Sequence, residues 1–229
     1  MTPSERQNHE KQVTARHAIT YVEDGMTIGL GTGSTAAWAI RFLGKRVRGG
    51  LSIRGVPTSI ATDCLATQEG IPLVGLADVS ELDLTLDGAD EVDPKLRLIK
   101  GGGGALVREK VVASASRRLI ILVDASKDVP VLGAFPLPVA VVPFSAPVVA
   151  RRIEALGASV KLRTGANQHP FVSDDGLHIL DCAFGKIADA EGLARHLESI
   201  PGLVDHGMFL NMADIVVFAK GDQVTERRR

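Results

Sequence analysis

Only two cysteines occur in the 229 residues of this chain, Cys64 and Cys182, far apart and with no spacing suited to a metal. They fit a reducing compartment in which both are ordinary buried thiols. Long apolar runs are lacking as well, and none approaches the ~20 residues needed to cross a bilayer. The opening "MTPSERQNHEKQ" has no apolar core of the signal-peptide kind. A cytoplasmic protein with no membrane partner is the expectation. Charge of one sign is not in excess either: 26 Lys and Arg stand against 27 Asp and Glu, for a formal net charge of −1. That balance leaves nothing to neutralise phosphate backbones and argues against nucleic acid as a partner. The closing "ERRR" reads as a solvated tail. No repeat or low-complexity linker interrupts the chain, whose length suits one large domain, or one domain with a smaller lobe.

What the chain does have is alternation. Residues 4–22 read as an amphipathic helix with Ser4 as its cap. Short β-type runs follow: "MTIGL" (26–30), "LSIRGV" (51–56), "IPLVGL" (71–76), "LDLTL" (82–86), "LRLI" (96–99) and "LIILV" (119–123). Between them lie helix-type segments: one follows "GTGST" and stops at Gly44, and others sit near 59–68 and 105–116. Such alternation predicts a largely parallel, doubly wound, Rossmann-like sheet. Beyond "LGAFPLP" (132–138) the order approximates β-α-β-β-α-β with one middle strand too many, which predicts a smaller α+β ferredoxin-like lobe. The run "DIVVFAK" (214–220) is expected to return to the first domain. The predicted division is residues 1–132 with 208–229 as an α/β catalytic domain, and 133–207 as a small lobe involved in oligomerisation.

Four polar loops stand at strand ends: "GTGST", "DGADE", "GGGG" and "DASK". Ligands of parallel α/β sheets bind outside the carboxyl ends of the strands, so one sheet edge is expected to collect all four. "GTGST" opens a helix, where unsatisfied N–H groups attract an anion. Thr32, Ser34 and Thr35 add hydroxyl donors, and Gly31 and Gly33 permit close approach. The loop is neither G-x-G-x-x-G nor followed by G-K-[ST], which favours a small phosphate ester over a nucleotide; the plain alternative is an ordinary capped turn. Lys127 and Lys11 are candidate cations for that phosphate, against the alternative of solvent-facing lysines. The acids of "DGADEVD" suit either a divalent cation or sugar hydroxyls. No histidine lies nearby, and Lys100 sets a competing positive charge, so the metal-free reading is preferred. Glu109, five residues past Gly104, is a candidate general base over the glycine run. Its neighbours Arg108 and Lys110 also suit a mere surface triplet.

Taken together, "GTGST", "DGADEVD", "KGGGGAL" with "REK", "DASK", "DDGLHILD" and "IPGLVDHGMF" resemble, in order and spacing, ribose-5-phosphate isomerase of the A type. The resemblance covers nearly the whole chain. It implies interconversion of ribose 5-phosphate and ribulose 5-phosphate, without cofactor or metal, in the pentose phosphate pathway. It implies phosphate binding by Thr32, Gly33, Ser34 and Thr35 with Lys127 and Lys11. Sugar contacts would come from Asp87, Gly88, Ala89, Asp90, Lys100, Gly101, Gly102 and Gly103, with Glu109 as base and Asp87 or Asp90 assisting ring opening. A homodimer or homotetramer is implied. The rivals are a sugar-phosphate effector module of the same fold and a coenzyme A transferase.

Overall fold

The computed structural model describes residues 2–166 and 168–229. In chain order the helices are α1 (Pro3–Ala18), α2 (Ser34–Arg48), α3 (Ile60–Gln68), α4 (Leu106–Ser114), α5 (Ala146–Glu154) and α6 (Ala190–Glu198). The strands are β1 (Thr27–Leu30), β2 (Arg54–Pro57), β3 (Leu84–Gly88), β4 (Glu91–Val92), β5 (Leu98–Ile99), β6 (Leu119–Asp124) and β7 (Leu137–Val141). They continue with β8 (Ser159–Leu162), β9 (His178–Ala183), β10 (Leu203–His206), β11 (Met208–Phe209), β12 (Ile215–Lys220) and β13 (Gln223–Arg228). Two compact units share the chain. One gathers the residues up to Ala89 with Arg108–Asp128 and Asn211–Arg229; the other holds Asp90–Val107 and Val129–Leu210.

In the first unit six strands run in the order β13-β12-β6-β3-β1-β2. All neighbours pair in parallel except β12 with β13. From β1 the chain winds outward to β2, then returns to the other side of β1 as β3, so the topological switch lies between β1 and β3. Alternate residues of the strands share one face: Ile28 and Leu30, Leu84 and Leu86, Ile120 and Leu122, Ile215 and Val217 pack with Ala15 and Ala18 of α1 and Ile40 and Leu43 of α2. On the opposite face Gly29 makes room for α4, since a Cβ there would lie 2.6 Å from Val112 Cγ1 and 1.9 Å from Thr85 Oγ1. α1 begins in a capping box, in which the Thr2 hydroxyl accepts from Glu5 N–H and the Glu5 carboxylate accepts from Thr2 N–H. The expected Ser4 cap is therefore inside the helix.

Several expected boundaries give way to packing. Gly44 does not stop α2; it sits within it because the carbonyl and side chain of Glu69 pass 2.6–2.9 Å from where its Cβ would stand. "IPLVGL" contributes one parallel bridge, Gly55 to Leu73, rather than a strand. "ERRR" is no tail. It ends β13, which hydrogen-bonds along β12 and is pinned by charge: Arg227 to Asp128 and Arg229 to Asp214. An edge strand lined with arginine also discourages pairing with other chains.

The second unit carries a four-stranded antiparallel sheet, β10-β7-β9-β8, built in the sequence order β7-α5-β8-β9-α6-β10. That is the ferredoxin-like order. The surplus strand expected at "PFVS" reduces to two isolated bridges, Thr164 to Pro170 and Val172 to His178. A separate three-stranded sheet, β11-β5-β4, lies in this unit too. Residues 90–107, grouped on sequence with the catalytic domain, thus pack among the residues of the second unit. The pairing of β5 with β4 and β11, not with the parallel sheet, is the physical reason. Among the described residues no helix is long and apolar enough to cross a membrane. Cys182 is buried, and burial, with Asp181 beside it, pushes its thiol up to about 12. Cys64 is exposed on α3, contrary to expectation.

Candidate active site

In the first unit the switch point is where polar groups converge. Asp87, one residue from the end of β3 and only 1% exposed, accepts through Oδ1 from the N–H of Thr32 at 3.1 Å and of Gly88 at 2.7 Å. The β3 carboxylate is thereby fastened to the turn that follows β1. Gly31 makes this possible, because a Cβ there would lie 2.1 Å from Asp87 Oδ1. Gly33, at φ +108°, turns the chain into α2, and no side chain caps the first N–H groups of that helix. A 15-residue helix presenting uncapped N–H groups at its start favours an anion there.

A hydroxyl chain holds the turn from beneath. Thr32 Oγ1 donates to Ser59 Oγ at 2.8 Å, Ser59 to Thr62 Oγ1 at 3.1 Å, and Thr62 to the Gly31 carbonyl at 2.9 Å. Thr58 donates to the Leu30 carbonyl at 3.0 Å. Both donors of Thr32 are therefore committed within the protein, and the outward-facing part of "GTGST" is Gly33 and Ser34, both exposed, with Thr35 buried behind them. Thr58, Ser59 and Thr62 escaped sequence reasoning. Their only signal was a "PTS" turn between a strand and a helix.

The expected cations fall on the same edge. Lys11 Nζ, on α1, donates to Ser34 Oγ at 3.0 Å. One turn earlier Gln7 donates to Asp124 Oδ1 at 3.3 Å and to Ser126 Oγ at 3.1 Å, tying α1 to the "DASK" turn after β6. Asp124 caps that turn by accepting from Ser126 N–H, which sets Lys127 in the single 3₁₀ turn beyond the strand. Gln7 is a second residue that the sequence did not single out.

Glu109 is 4% exposed, whereas its neighbours Arg108 and Lys110 are half-buried. The surface-triplet alternative fails on that contrast. Val112, three residues on, faces Gly29 of β1. Residues three apart share a helix face, so Glu109 lies on the face turned to the sheet, one turn nearer the helix start. In a β-α-β crossover the helix runs back against the strands, which brings its start to their carboxyl ends.

The second unit contains Asp90, Lys100 and the glycine run. Asp90 Oδ2 accepts from Gly102 N–H at 2.8 Å. Lys100 is 2% exposed with Nζ 5.4 Å from the Phe209 ring centre. The glycines are required by packing: a Cβ on Gly101 would come within 2.9 Å of Leu106, and one on Gly104 within 2.5 Å of the Phe171 ring, each at positive φ. "GGGG" follows β5 of the antiparallel sheet, so it does not extend from the parallel sheet as the sequence suggested.

The acid run also divides its labour. Glu91 accepts from the N–H groups of Gly133 and Phe135, each at 2.6 Å, and so anchors a loop. Asp93 accepts from the N–H groups of Lys95 and Arg97 and pairs with the Arg97 guanidinium at 2.6 Å, which in turn reaches Glu191. Those two acids are structural. Asp87 and Asp90 are the two that shape glycine loops.

Comparison with known proteins identifies the family. The sequence profile of ribose 5-phosphate isomerase A (phosphoriboisomerase A) matches residues 54–223. The chain belongs to that family. Ribose-5-phosphate isomerase A of Methylorubrum extorquens is 52% identical over 218 residues, covering 93% of this chain and 92% of that protein. The Sphingopyxis alaskensis protein of the same name is 49% identical, covering 96% of each. Among solved structures, a D-ribose-5-phosphate isomerase in complex with phospho-erythronic acid superposes with a TM-score of 0.95 at 39% identity, covering 100% of both chains. Ribose 5-phosphate isomerase A from Methanocaldococcus jannaschii gives 0.92 at 41% identity, covering 96% of this chain and 98% of that one. The family's reaction is the interconversion of ribose 5-phosphate and ribulose 5-phosphate in the pentose phosphate pathway, and this chain is an isomerase of that kind.

Proposed function

We propose that this isomerisation runs through an enediolate with Glu109 as the general base. Moving the carbonyl between C1 and C2 requires one carbon to lose a proton and the other to gain one. A single carboxylate serves both transfers when the intermediate is held beside it. The burial of Glu109 on the sheet-facing side of α4 carries this reading, because a carboxylate is rarely withdrawn from water without a task. The substrate phosphate is bound at the start of α2 by the N–H groups there with Gly33, Ser34 and Thr35, and by Lys11 and Lys127. Thr32 shapes that turn. The sugar is contacted by Asp87, Gly88, Ala89, Asp90, Lys100 and Gly101 to Gly103, as the family resemblance implies, and Asp87 or Asp90 moves hydroxyl protons during ring opening. The phospho-erythronic acid complex of a relative supports this reading: its carboxylate resembles the paired oxygens of an enediolate, and its phosphate suits a helix start.

Proton transfer within the sugar asks for no cofactor, and full activity in excess EDTA is expected. Assembly into a homodimer or homotetramer through the second unit is supported by Phe144, 95% exposed, with exposed Val142, Val148 and Val204. The reducing, cytoplasmic setting rests on the two unpaired thiols.

The deciding experiment is a coupled assay for ribulose 5-phosphate run on the parent chain and on Glu109→Gln. The variant is expected to bind substrate normally while kcat falls by about three orders of magnitude, within the span attributed to general bases. Solvent deuterium should enter the product at the transferred position. A Gln variant that turns over at the parent rate removes Glu109 from the mechanism, and product free of deuterium points to a hydride shift.

A further inference from the structure

A glycine run has no side chains to set the direction of its peptide groups, and Gly102 and Gly103 are both exposed. Here the direction is imposed from outside. Arg163, immediately after β8, donates from Nη1 to the Gly101 carbonyl at 2.9 Å and to the Gly102 carbonyl at 3.0 Å. Its Nε and Nη2 are held by the Asp181 carboxylate of β9, with Nε to Oδ2 at 3.0 Å. The Phe171 ring centre lies 5.9 Å from its Cζ. The side chain is only 14% exposed, so the guanidinium is fixed on several sides.

Peptide geometry then decides where the amides point. The C=O and N–H of a trans peptide face opposite ways, and the described residues contain no cis bond. The peptide joining Gly101 to Gly102 is gripped at both ends, its carbonyl by Arg163 and its N–H by Asp90 at 2.8 Å. The peptide joining Gly102 to Gly103 is gripped at its carbonyl by the same Nη1. Its N–H, that of Gly103, accordingly points to the side on which Asp90 lies.

We propose that Arg163, locked by Asp181, is a positioning residue for the isomerisation. It aims the Gly103 N–H at the sugar oxygen that becomes anionic, and its charge on the Gly102 carbonyl makes that N–H a stronger donor. The inference rests on the reading of the glycine run as a sugar contact. It explains why a half-buried bidentate guanidinium–carboxylate pair stands behind a loop with no side chains of its own.

The test compares Arg163→Gln, Arg163→Lys and Asp181→Asn with the parent for kcat, KM and inhibition by phospho-erythronic acid and by inorganic phosphate. A direct oxyanion donor is worth about 10²–10³ in kcat, so losing its orientation in Arg163→Gln is expected to lower kcat about tenfold. Binding of phospho-erythronic acid should weaken in step, while KM and phosphate inhibition hold. Arg163→Lys, which keeps a cation for one carbonyl, should recover part of kcat, and Asp181→Asn should lose less than Arg163→Gln. Unchanged kcat, or weakening of both inhibitors together, overturns the proposal. Should Arg163→Gln not fold, the Lys and Asn variants carry the same kcat-against-KM comparison. A parent chain without isomerase activity would sink the functional reading instead.

Discussion

The two glycine-rich loops, "GTGST" in the first unit and "GGGG" in the second, are held by opposite means. The first is held largely by neutral hydroxyls, passed from Thr32 through Ser59 and Thr62 to the Gly31 carbonyl, with one carboxylate, Asp87, on its N–H. The second is held by formal charge on both sides, Asp90 on an N–H and Arg163 on two carbonyls. On the proposed reading, in which the first loop receives a dianionic phosphate, supports that add little negative charge suit it. On the same reading the second loop stabilises an oxyanion that exists only during reaction, and a cation behind its amides suits that task, because charge-assisted contacts are the stronger ones. On that proposal the same residue type is fixed according to the charge it must face.

The largest effect expected from breaking the comparison is in the first loop. Gly31→Ala would drive a methyl group against the Asp87 carboxylate, 2.1 Å away in the present geometry, and displace carboxylate and turn together. Misplacement of about 1 Å in positioning groups costs on the order of 10²-fold, and kcat/KM is expected to fall by that much with circular dichroism unchanged. Retained activity would show that the turn tolerates an open Asp87 contact.

The next effect tests whether charge in the second unit serves structure as well as chemistry. Glu91→Ala leaves the N–H groups of Gly133 and Phe135 without their acceptor. An unsatisfied buried donor costs roughly 1–3 kcal/mol and the part-buried Phe135 N–H less, so chemical denaturation should report a loss of about 2–4 kcal/mol. Turnover per folded molecule should be unaffected, in contrast to Glu109→Gln. A drop in kcat at unchanged stability would move Glu91 from scaffold to mechanism.

The smallest effect concerns pH and the rim of the first unit. Burial pushes the Glu226 carboxyl up, but hydrogen bonds from Tyr21, His17 and Arg228 and the Arg228 charge outweigh it and hold the group at about 2, below its ordinary 4.5. A group whose folded value is depressed stabilises the protein above its unfolded value and ceases to as the pH falls through the folded one. The stability advantage of the parent over Glu226→Gln should therefore be full above pH 4.5 and fade toward pH 2. An advantage that does not change across that range would mean the cluster acts by packing alone.

Much of this was readable in the residues. "LIILV" had to be a strand, and "LDLTL" had to end in a polar loop, since apolar patterning and turn chemistry are local properties. The ferredoxin-like order was legible apart from its surplus strand, where "PFVS" has the right residues but makes only isolated bridges. Gly44 was misread because a glycine that stops a helix and one that admits a neighbour look alike in sequence. The acid run was misread as one cluster because adjacency along the chain says nothing of which way each carboxylate turns. Gln7, Ser59, Thr62 and Arg163 were not singled out, since a support residue is defined by what it touches and those partners lie 27 to 119 positions away.

By itself the sequence determined the alternation of strands and helices, the places of the "GTGST" turn and the glycine run, and the family to which their order belongs, because these depend on local periodicity and on motif spacing. Tertiary structure alone decided which sheet each loop leaves, which carboxylates anchor and which face a loop, and that Glu109 is withdrawn from solvent while its charged neighbours are not. The reason is physical: burial and hydrogen-bond pairing are made between distant segments, and no local pattern encodes them one residue at a time.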